Sequence, residues 1–204
     1  MPFELSPRRV FAGFALICLA LVAEALILQH LKGQAPCPLC VLQRAGFLLV
    51  ALVALAGAIH QPRRRGAAMY AAAMALAALS GLGVAIWHVW TLRHPKFGCG
   101  IDVMEQFVNS LPSARLLPWL FHASGECAAP HEPILGLQVP EWSLIWFCLL
   151  FLAAIFFAFK GLSAARAGRM RRISRRKLSQ KYIFTRKNSK NRKEWNLKAG
   201  LSRY

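Results

Sequence analysis

The feature that most constrains this 204-residue chain is a set of four apolar runs, each about as long as a helix that crosses a lipid bilayer. A spanning helix needs about 20 predominantly apolar residues, because the hydrocarbon core is about 30 Å thick. The runs occupy residues 10–28, 41–59, 67–90 and 142–159. Backbone groups inside a bilayer have to hydrogen-bond within their own segment, which favours helices. The sequence therefore predicts an all-α integral membrane protein built on a four-transmembrane-helix bundle.

The polar remainder divides the chain into a head, a membrane domain and a tail. We predict a short head at residues 1–9, the membrane domain at residues 10–160 and a basic tail without regular structure at residues 161–204. More than half of the 26 Lys and Arg residues lie in the tail, so the formal net charge of +18 belongs mainly to it. Polybasic segments beside a membrane attract anionic lipid. We favour lipid binding over a disordered appendage without a dedicated role and over nucleic-acid binding.

The distribution of positive charge also predicts the orientation of the spans. The head, the arginine-rich turn at residues 63–65 and the tail share one side of the membrane and hold most of the Lys and Arg. By the positive-inside rule that side is cytoplasmic, so both termini are predicted to lie in the cytoplasm. The opposite side, which is the periplasm or a comparable lumen, carries loops 29–40 and 91–141.

The longer of these two loops contains apolar residues at helical spacing. They are Ile101, Val103, Met104, Phe107, Val108 and Leu111. Apolar residues that recur three and four positions apart share one face of a helix. The pattern predicts a short amphipathic helix that lies on the membrane or on the bundle.

Four of the six cysteines lie on the predicted periplasmic side, where disulfides persist. The four are Cys37 and Cys40, which form a Cys-x-x-Cys pair, and Cys99 and Cys127, which lie in the long loop. Four cysteines allow three pairings, and the sequence alone does not choose among them. Cys18 and Cys148 lie inside apolar runs, where a thiol is predicted to behave as a small hydrophobic group.

The Cys-x-x-Cys pair stands at the start of the second span, where redox chemistry is plausible. A helix that begins there places Cys40 and Arg44 on one face. The guanidinium and the positive end of the helix dipole both favour a thiolate at Cys40. His88 ends the third span on the same side, so it could bind a bilayer-soluble electron acceptor together with Arg44. Glu24, inside the first span, is predicted to have a polar partner or to reach the interface, and a signal peptide cleaved beside it is a weaker alternative.

Three other interpretations of the cysteines compete with a redox centre. A zinc site could combine the pair with the loop cysteines and with His94, His122 or His131, but no second short-spaced half-motif exists. A thioredoxin-like active site would need a βαβ pattern beside the pair, and apolar spans flank it instead. A non-catalytic membrane scaffold with two structural disulfides is the strongest competitor, because two pairs of cysteines do not by themselves require turnover. The sequence therefore favours no metal site and leaves the scaffold open.

Taken together, the motifs resemble the DsbB family of disulfide-bond formation proteins. The residues that carry the resemblance are Cys37-Pro38-Leu39-Cys40, Arg44, His88, Ala123-Ser124-Gly125-Glu126-Cys127-Ala128, Leu135-Gly136-Leu137 and Pro140-Glu141-Trp142. The resemblance covers about residues 10–160 and involves order, spacing and topology together. The tail beyond about residue 161 departs from the family pattern.

The resemblance implies a quinone-dependent protein-disulfide oxidoreductase of the bacterial inner membrane. Such an enzyme takes electrons from a periplasmic DsbA-type dithiol oxidase and passes them to ubiquinone or menaquinone, which sustains disulfide formation in other proteins. A vitamin K epoxide reductase-like enzyme is the alternative, because it also couples a membrane Cys-x-x-Cys pair to a quinone. Its cysteine order and sequence context fit this chain less well.

The resemblance also implies a role for each cysteine. Cys99 would form a transient mixed disulfide with the partner oxidase, and Cys127 would then attack Cys37. Cys40 would be left as the thiolate that interacts with the quinone. The side chains implied to line the quinone site are those of Arg44 and His88.

Overall fold

The fold is known from a computed structural model, which describes residues 6–94, 101–127, 133–163 and 170. The chain divides into two units, Met1–Gly161 and Leu162–Tyr204, and the fold below concerns the first. Nearly all of the predicted tail lies outside the described residues. The same holds for Cys99 and for most of the predicted head.

Seven helices lie in the described residues up to residue 163. In chain order they are α1 Pro7–Lys32, α2 Pro38–His60, α3 Arg64–Arg93, α4 Ile101–Ser110, α5 Pro112–Leu116, α6 Pro118–Phe121 and α7 Val139–Ser163. The helices α1, α2, α3 and α7 are long and apolar enough to cross a membrane, which confirms the predicted four-helix membrane fold. Each of the four begins about one turn before its apolar run, because the first turn of a helix tolerates proline and polar residues outside the hydrocarbon.

The short helix α4 is the amphipathic helix that the apolar spacing predicted. Val108 on its inner face is 1% exposed and packs with Val41 of α2 and with Ala123. Val103 and Phe107 remain largely exposed. One apolar face of α4 therefore packs on the bundle, and a second faces outward, as expected for a helix at a membrane surface.

The middle of the bundle is organised around the ring of Phe147 on α7. Phe147 is fully buried and stacks on Phe47 of α2, with ring centroids 4.0 Å apart. A Cβ atom added at Gly46 of α2 would lie 3.1 Å from the ring, and one added at Gly81 of α3 would overlap it. Small residues let neighbouring membrane helices approach closely. The glycines therefore allow α2, α3 and α7 to meet around one aromatic ring.

Two loops meet at the end of the bundle where α2 begins. The backbone N–H groups of Ser124 and Gly125 donate to the carbonyl oxygen of Pro36, at 3.0 and 3.1 Å. Asn109 of α4 holds the same segment through two hydrogen bonds of 2.9 Å to the backbone of Ala123. Backbone hydrogen bonds thus fix the loop that leads to Cys127 against the loop that leads to the Cys-x-x-Cys pair.

Candidate redox site

Cys37 and Cys40 occupy the first turn of α2. Cys37 is the N-cap residue, and its sulfur accepts a hydrogen bond of 3.1 Å from the backbone N–H of Cys40. The Cys37 thiol donates to the Cys40 sulfur at 2.7 Å. Both cysteines are free thiols in this structure. The start of α2 therefore holds the two sulfurs side by side, as the formation of a disulfide between them requires.

The two thiols differ in their surroundings. Cys37 is 2% exposed, whereas Cys40 is half-buried. The hydrogen bond that Cys37 donates to Cys40, together with burial, raises the pKa of the Cys37 thiol well above its ordinary value. Cys37 is therefore protonated at neutral pH and acts as a donor, while Cys40 is the acceptor. Arg44 interacts electrostatically with the Cys40 sulfur, as the four-residue spacing predicted.

Arg44 is a buried cation, 7% exposed, that is held by three neutral oxygens. Its guanidinium donates to Oε1 of Gln29 at 2.6 Å and to the carbonyl oxygen of Ala25 at 3.2 Å, both on α1. A third bond of 3.3 Å reaches the carbonyl oxygen of Leu120 on α6. A buried charge needs such hydrogen bonds to offset its desolvation. Because these partners are neutral, the positive charge of Arg44 remains available to Cys40 or to a ligand in the neighbouring cavity.

His88 lies deeper in the site than its position at the end of the third span suggested. The side chain is 2% exposed, and its Nε2 atom lies 3.6 Å from the sulfur of Cys37. Its Nδ1 atom lies 3.2 Å from the amide nitrogen of Gln43. The structure thus brings His88 to the Cys-x-x-Cys pair and adds Gln43, a polar residue inside the predicted second span.

Gln43 and Gln29 are the site residues that sequence reasoning missed. A polar side chain inside a membrane span is costly, and this cost was the available signal for Gln43. Gln29 stands near the end of α1, where a polar residue is unremarkable. Its amide also donates to the carbonyl oxygen of Trp119 at 3.2 Å, so it links Arg44 to α6.

Cys127 lies against the Cys-x-x-Cys pair. It is disulfide-bonded in this structure and belongs to a buried cluster with Cys37 and Leu39. The structure thereby brings together three of the four predicted redox cysteines. Cys99 lies outside the described residues, so its predicted role stays a prediction.

The sulfurs of Cys37 and Cys40 and a ring nitrogen of His88 also form a compact donor set. The three atoms lie within 4.8 Å of one another. Zinc takes thiolate and imidazole ligands, so the reduced pair together with His88 could hold such an ion. The zinc alternative considered from the sequence used other histidines. Of those, His94 is exposed after the end of α3, and His131 lies outside the described residues.

A cavity of about 280 Å³ opens beside the sulfurs, between α1, α2, α3 and α7. Its apolar wall includes Leu21, Val22, Leu28, Phe47, Trp142 and Trp146, and its polar wall includes Glu24, Cys40, Gln43, Arg44 and His88. Small-molecule sites typically combine apolar walls with a few polar groups that fix orientation. The lining fits a flat apolar ring that carries hydrogen-bond acceptors, which is the chemistry of a quinone. Glu24, whose role the sequence left open, has a place on this wall.

The family model described as "Disulfide bond formation protein DsbB" matches residues 7–157. The chain belongs to the DsbB family. Among similar proteins of this family, Disulfide bond formation protein B of Herminiimonas arsenicoxydans is 44% identical over 155 residues, covering 75% of this chain and 96% of that protein. The protein of the same name from Cupriavidus necator is 44% identical over 147 residues, covering 72% and 89%.

A third relative, Disulfide bond formation protein B 1 of Pseudomonas fluorescens, is 45% identical over 142 residues, covering 70% of this chain and 83% of that protein. The resemblance stated from the sequence motifs is therefore confirmed. With four helices that can span a membrane, this DsbB-family chain is a multi-pass membrane protein and a disulfide-forming oxidoreductase. The family match ends at residue 157, before the basic tail.

Proposed function

We propose that this chain is a membrane thiol oxidase that reoxidises a DsbA-type dithiol oxidase and passes the electrons to a membrane quinone. One observation carries the proposal. Cys37 and Cys127 share a buried cluster, and this cluster adjoins a cavity whose wall includes Cys40, Arg44 and His88. A chain of thiol exchange needs contact between the two cysteine pairs, and electron transfer to a lipid-soluble acceptor needs a cavity at the last sulfur.

In the proposed sequence, a thiolate of the partner attacks a disulfide between the two loop cysteines. A bond forms between the partner sulfur and Cys99, and Cys127 leaves as a thiolate. Cys127 then attacks Cys37 in a Cys37–Cys40 disulfide, so that a Cys37–Cys127 bond forms and Cys40 leaves with the electron pair. The packing of Cys127 against Cys37 supports this step, because exchange requires the attacking sulfur to reach the disulfide.

The remaining site residues would bind and orient the acceptor. Arg44 is held by α1 and α6 beside Cys40, and its charge favours both a thiolate and a polarised carbonyl oxygen. His88 lines the same cavity beside Cys37. A bound ubiquinone or menaquinone would supply the sink for two electrons and two protons. A strong sink is needed because DsbA-type oxidases are themselves strongly oxidising, at about −120 mV.

We further propose that the protein lies in the bacterial inner membrane with both termini in the cytoplasm and with the tail, residues 161–204, on anionic lipid. The charge distribution supports this orientation, since the predicted periplasmic loops carry few Lys and Arg. In intact cells under reducing conditions, a membrane-impermeant thiol reagent should label Cys99 in the long loop. Labelling only after lysis would overturn the orientation.

The function can be tested with purified protein, a reduced DsbA-type partner and a quinone, with loss of the oxidised quinone followed by absorbance. We expect turnover in the wild type and a loss of roughly 1,000-fold or more in Cys40→Ser, since the electron-donating sulfur is gone. Cys148→Ser is the matched control, because Cys148 is an exposed free thiol on α7. Full turnover in Cys40→Ser would overturn the catalytic role, and a wild type without turnover would favour the scaffold.

A further inference from the structure

Gln43 is a buried amide in a helix that is otherwise almost wholly apolar. Its side chain is 4% exposed, and an amide in such surroundings is costly unless it is hydrogen-bonded. Its amide nitrogen lies 3.2 Å from Nδ1 of His88, which is 2% exposed. The contact joins α2 to α3 across 45 residues of sequence. Gln43 therefore has a specific partner, and this partner touches the redox pair.

The contact determines which nitrogen of His88 carries the ring proton. An amide nitrogen is a donor only, so Nδ1 accepts its hydrogen bond. The proton of a neutral imidazole then lies on Nε2, because the bond at one nitrogen sets the state of the other. Nε2 lies 3.6 Å from the sulfur of Cys37. The imidazole of His88 thus faces Cys37 with a donor.

Cys37 continues the chain of donors, since its thiol donates to the sulfur of Cys40 at 2.7 Å. The donors therefore all point the same way. Gln43 donates to His88, His88 donates to Cys37, and Cys37 donates to Cys40. Hydrogen bonds in a chain polarise one another, and bonds that end on a charged acceptor are the stronger ones. A directed chain of this kind favours electron density on the sulfur of Cys40, which lines the cavity together with Cys37.

We propose that Gln43 is a positioning residue that holds His88 in the tautomer with its proton on Nε2, and that this tautomer keeps Cys37 oriented as a donor to Cys40. Gln43 acts through His88. The inference rests on the proposed function for the importance of Cys40. Its tests need neither quinone nor partner oxidase, so it can fail while the proposed function holds, and the reverse is equally possible.

The tautomer can be measured directly in the full chain. We would record nitrogen-15 spectra of histidine-labelled, reduced, quinone-free protein in lipid or detergent, and identify the His88 signals by their loss in His88→Phe. We expect a protonated Nε2 and an unprotonated Nδ1 in the wild type, and a loss of this preference in Gln43→Met. A protonated Nδ1 in the wild type would overturn the inference, whether or not any variant folds.

The effect on Cys40 can be measured by alkylation of the reduced protein at neutral pH, with each cysteine quantified by peptide mass spectrometry. We expect Gln43→Met and His88→Phe each to slow the alkylation of Cys40 by roughly five- to tenfold, the size of one typical lost hydrogen bond. The double variant should be no slower than His88→Phe. If the rate losses of the two single variants multiply in the double variant, the inference is wrong. An unchanged alkylation rate of Cys40 in Gln43→Met would also overturn it.

A matched control comes from Thr91 on the same helix as His88. Thr91 is fully buried and donates to the carbonyl oxygen of Trp87 at 3.0 Å, within α3. Thr91→Val removes one buried hydroxyl with almost no change in volume and leaves the donor chain untouched. The alkylation rate of Cys40 should be unchanged in this variant. If Thr91→Val slows the alkylation of Cys40 as much as Gln43→Met does, then the loss of any buried polar group near the site has this effect. That result would overturn the specific role of Gln43.

Discussion

The middle of the bundle and its Cys37 end are both buried, but different forces hold them together. In the middle, Phe147 stacks on Phe47 and rests against Gly81, so the helices fit by shape alone. At the Cys37 end, Arg44 and His88 are buried polar groups with hydrogen-bonding partners on other helices. Shape complementarity tolerates no added volume, whereas buried polar groups tolerate no missing partner.

The two regions should therefore respond differently to substitution. A change of volume in the middle should alter the free energy of unfolding and leave the redox chemistry intact in whatever fraction is folded. A change of polar partner at the Cys37 end should alter binding and thiol reactivity more than stability. Four substitutions or measurements would break or sharpen this contrast.

The largest expected effect on the fold comes from Gly81→Leu. A side chain at this position would overlap the ring of Phe147, so we expect a loss of about 3 kcal/mol in the free energy of unfolding. Thermal unfolding in detergent would measure it. Gly83→Leu is the control on the same helix, because nothing lies within 4 Å of an added Cβ there. Equal midpoints for the two variants would contradict packing by shape at this level.

The next effect is expected from Arg44→Lys at the polar end. An ammonium group does not reproduce the planar set of donors that reaches Gln29, Ala25 and Leu120. We expect roughly a tenfold higher KM for the quinone. The loss of stability should be smaller than in Gly81→Leu, because an ammonium group can still donate to some of these oxygens. Arg93→Lys should leave both unchanged, since Arg93 is 69% exposed. A large loss of stability without a change in KM would reverse the assignment of Arg44.

A smaller effect is expected from Gly125→Ala, which tests how the Cys127 loop is held. A Cβ at this position would overlap the carbonyl oxygen of Ala35, so the loop should move away from Pro36. After a limiting amount of reduced partner and an acid quench, we expect about fivefold less Cys37–Cys127 disulfide by non-reducing peptide mapping. Ser124→Ala keeps the backbone hydrogen bond and should behave as the wild type, and a decrease there as well would argue against loop docking.

The smallest effect is a shift in the pH dependence of Cys37 alkylation in the reduced protein. Because the pKa of Cys37 is raised, its thiolate fraction at any given pH is lower than that of an ordinary thiol. The rate should therefore still be rising above about pH 8.5, where an ordinary thiol is half ionised. In Cys40→Ala the largest cause of the shift is gone, so the profile should move back toward lower pH. Identical profiles in the two proteins would contradict the role of the hydrogen bond.

The elements of the fold were predictable because their signals are local. The four spans follow from runs of apolar residues, and α4 follows from the spacing of residues such as Val108. The start of α2 at the Cys-x-x-Cys pair follows from the prolines beside it. In each case the determining residues lie within the element itself.

The contacts of the candidate site were only partly predictable. The four-residue spacing predicted that Cys40 and Arg44 lie close together. Nothing in the sequence indicated that Gln29 would hold the guanidinium of Arg44. The pairing of Gln43 with His88 depends on how α2 and α3 are rotated against each other. Rotation is set by packing along the whole interface, and no local pattern records it.

The sequence by itself determined that four segments enter the membrane and that two thiols stand at the first turn of one of them. Membrane insertion and helix starts depend on neighbouring residues, so they can be read along the chain. Only the tertiary structure decided that Cys127 reaches Cys37 and that His88 stands between Cys37 and Gln43. These contacts depend on loop docking and helix rotation, which arise from the combined packing of segments that are far apart in sequence.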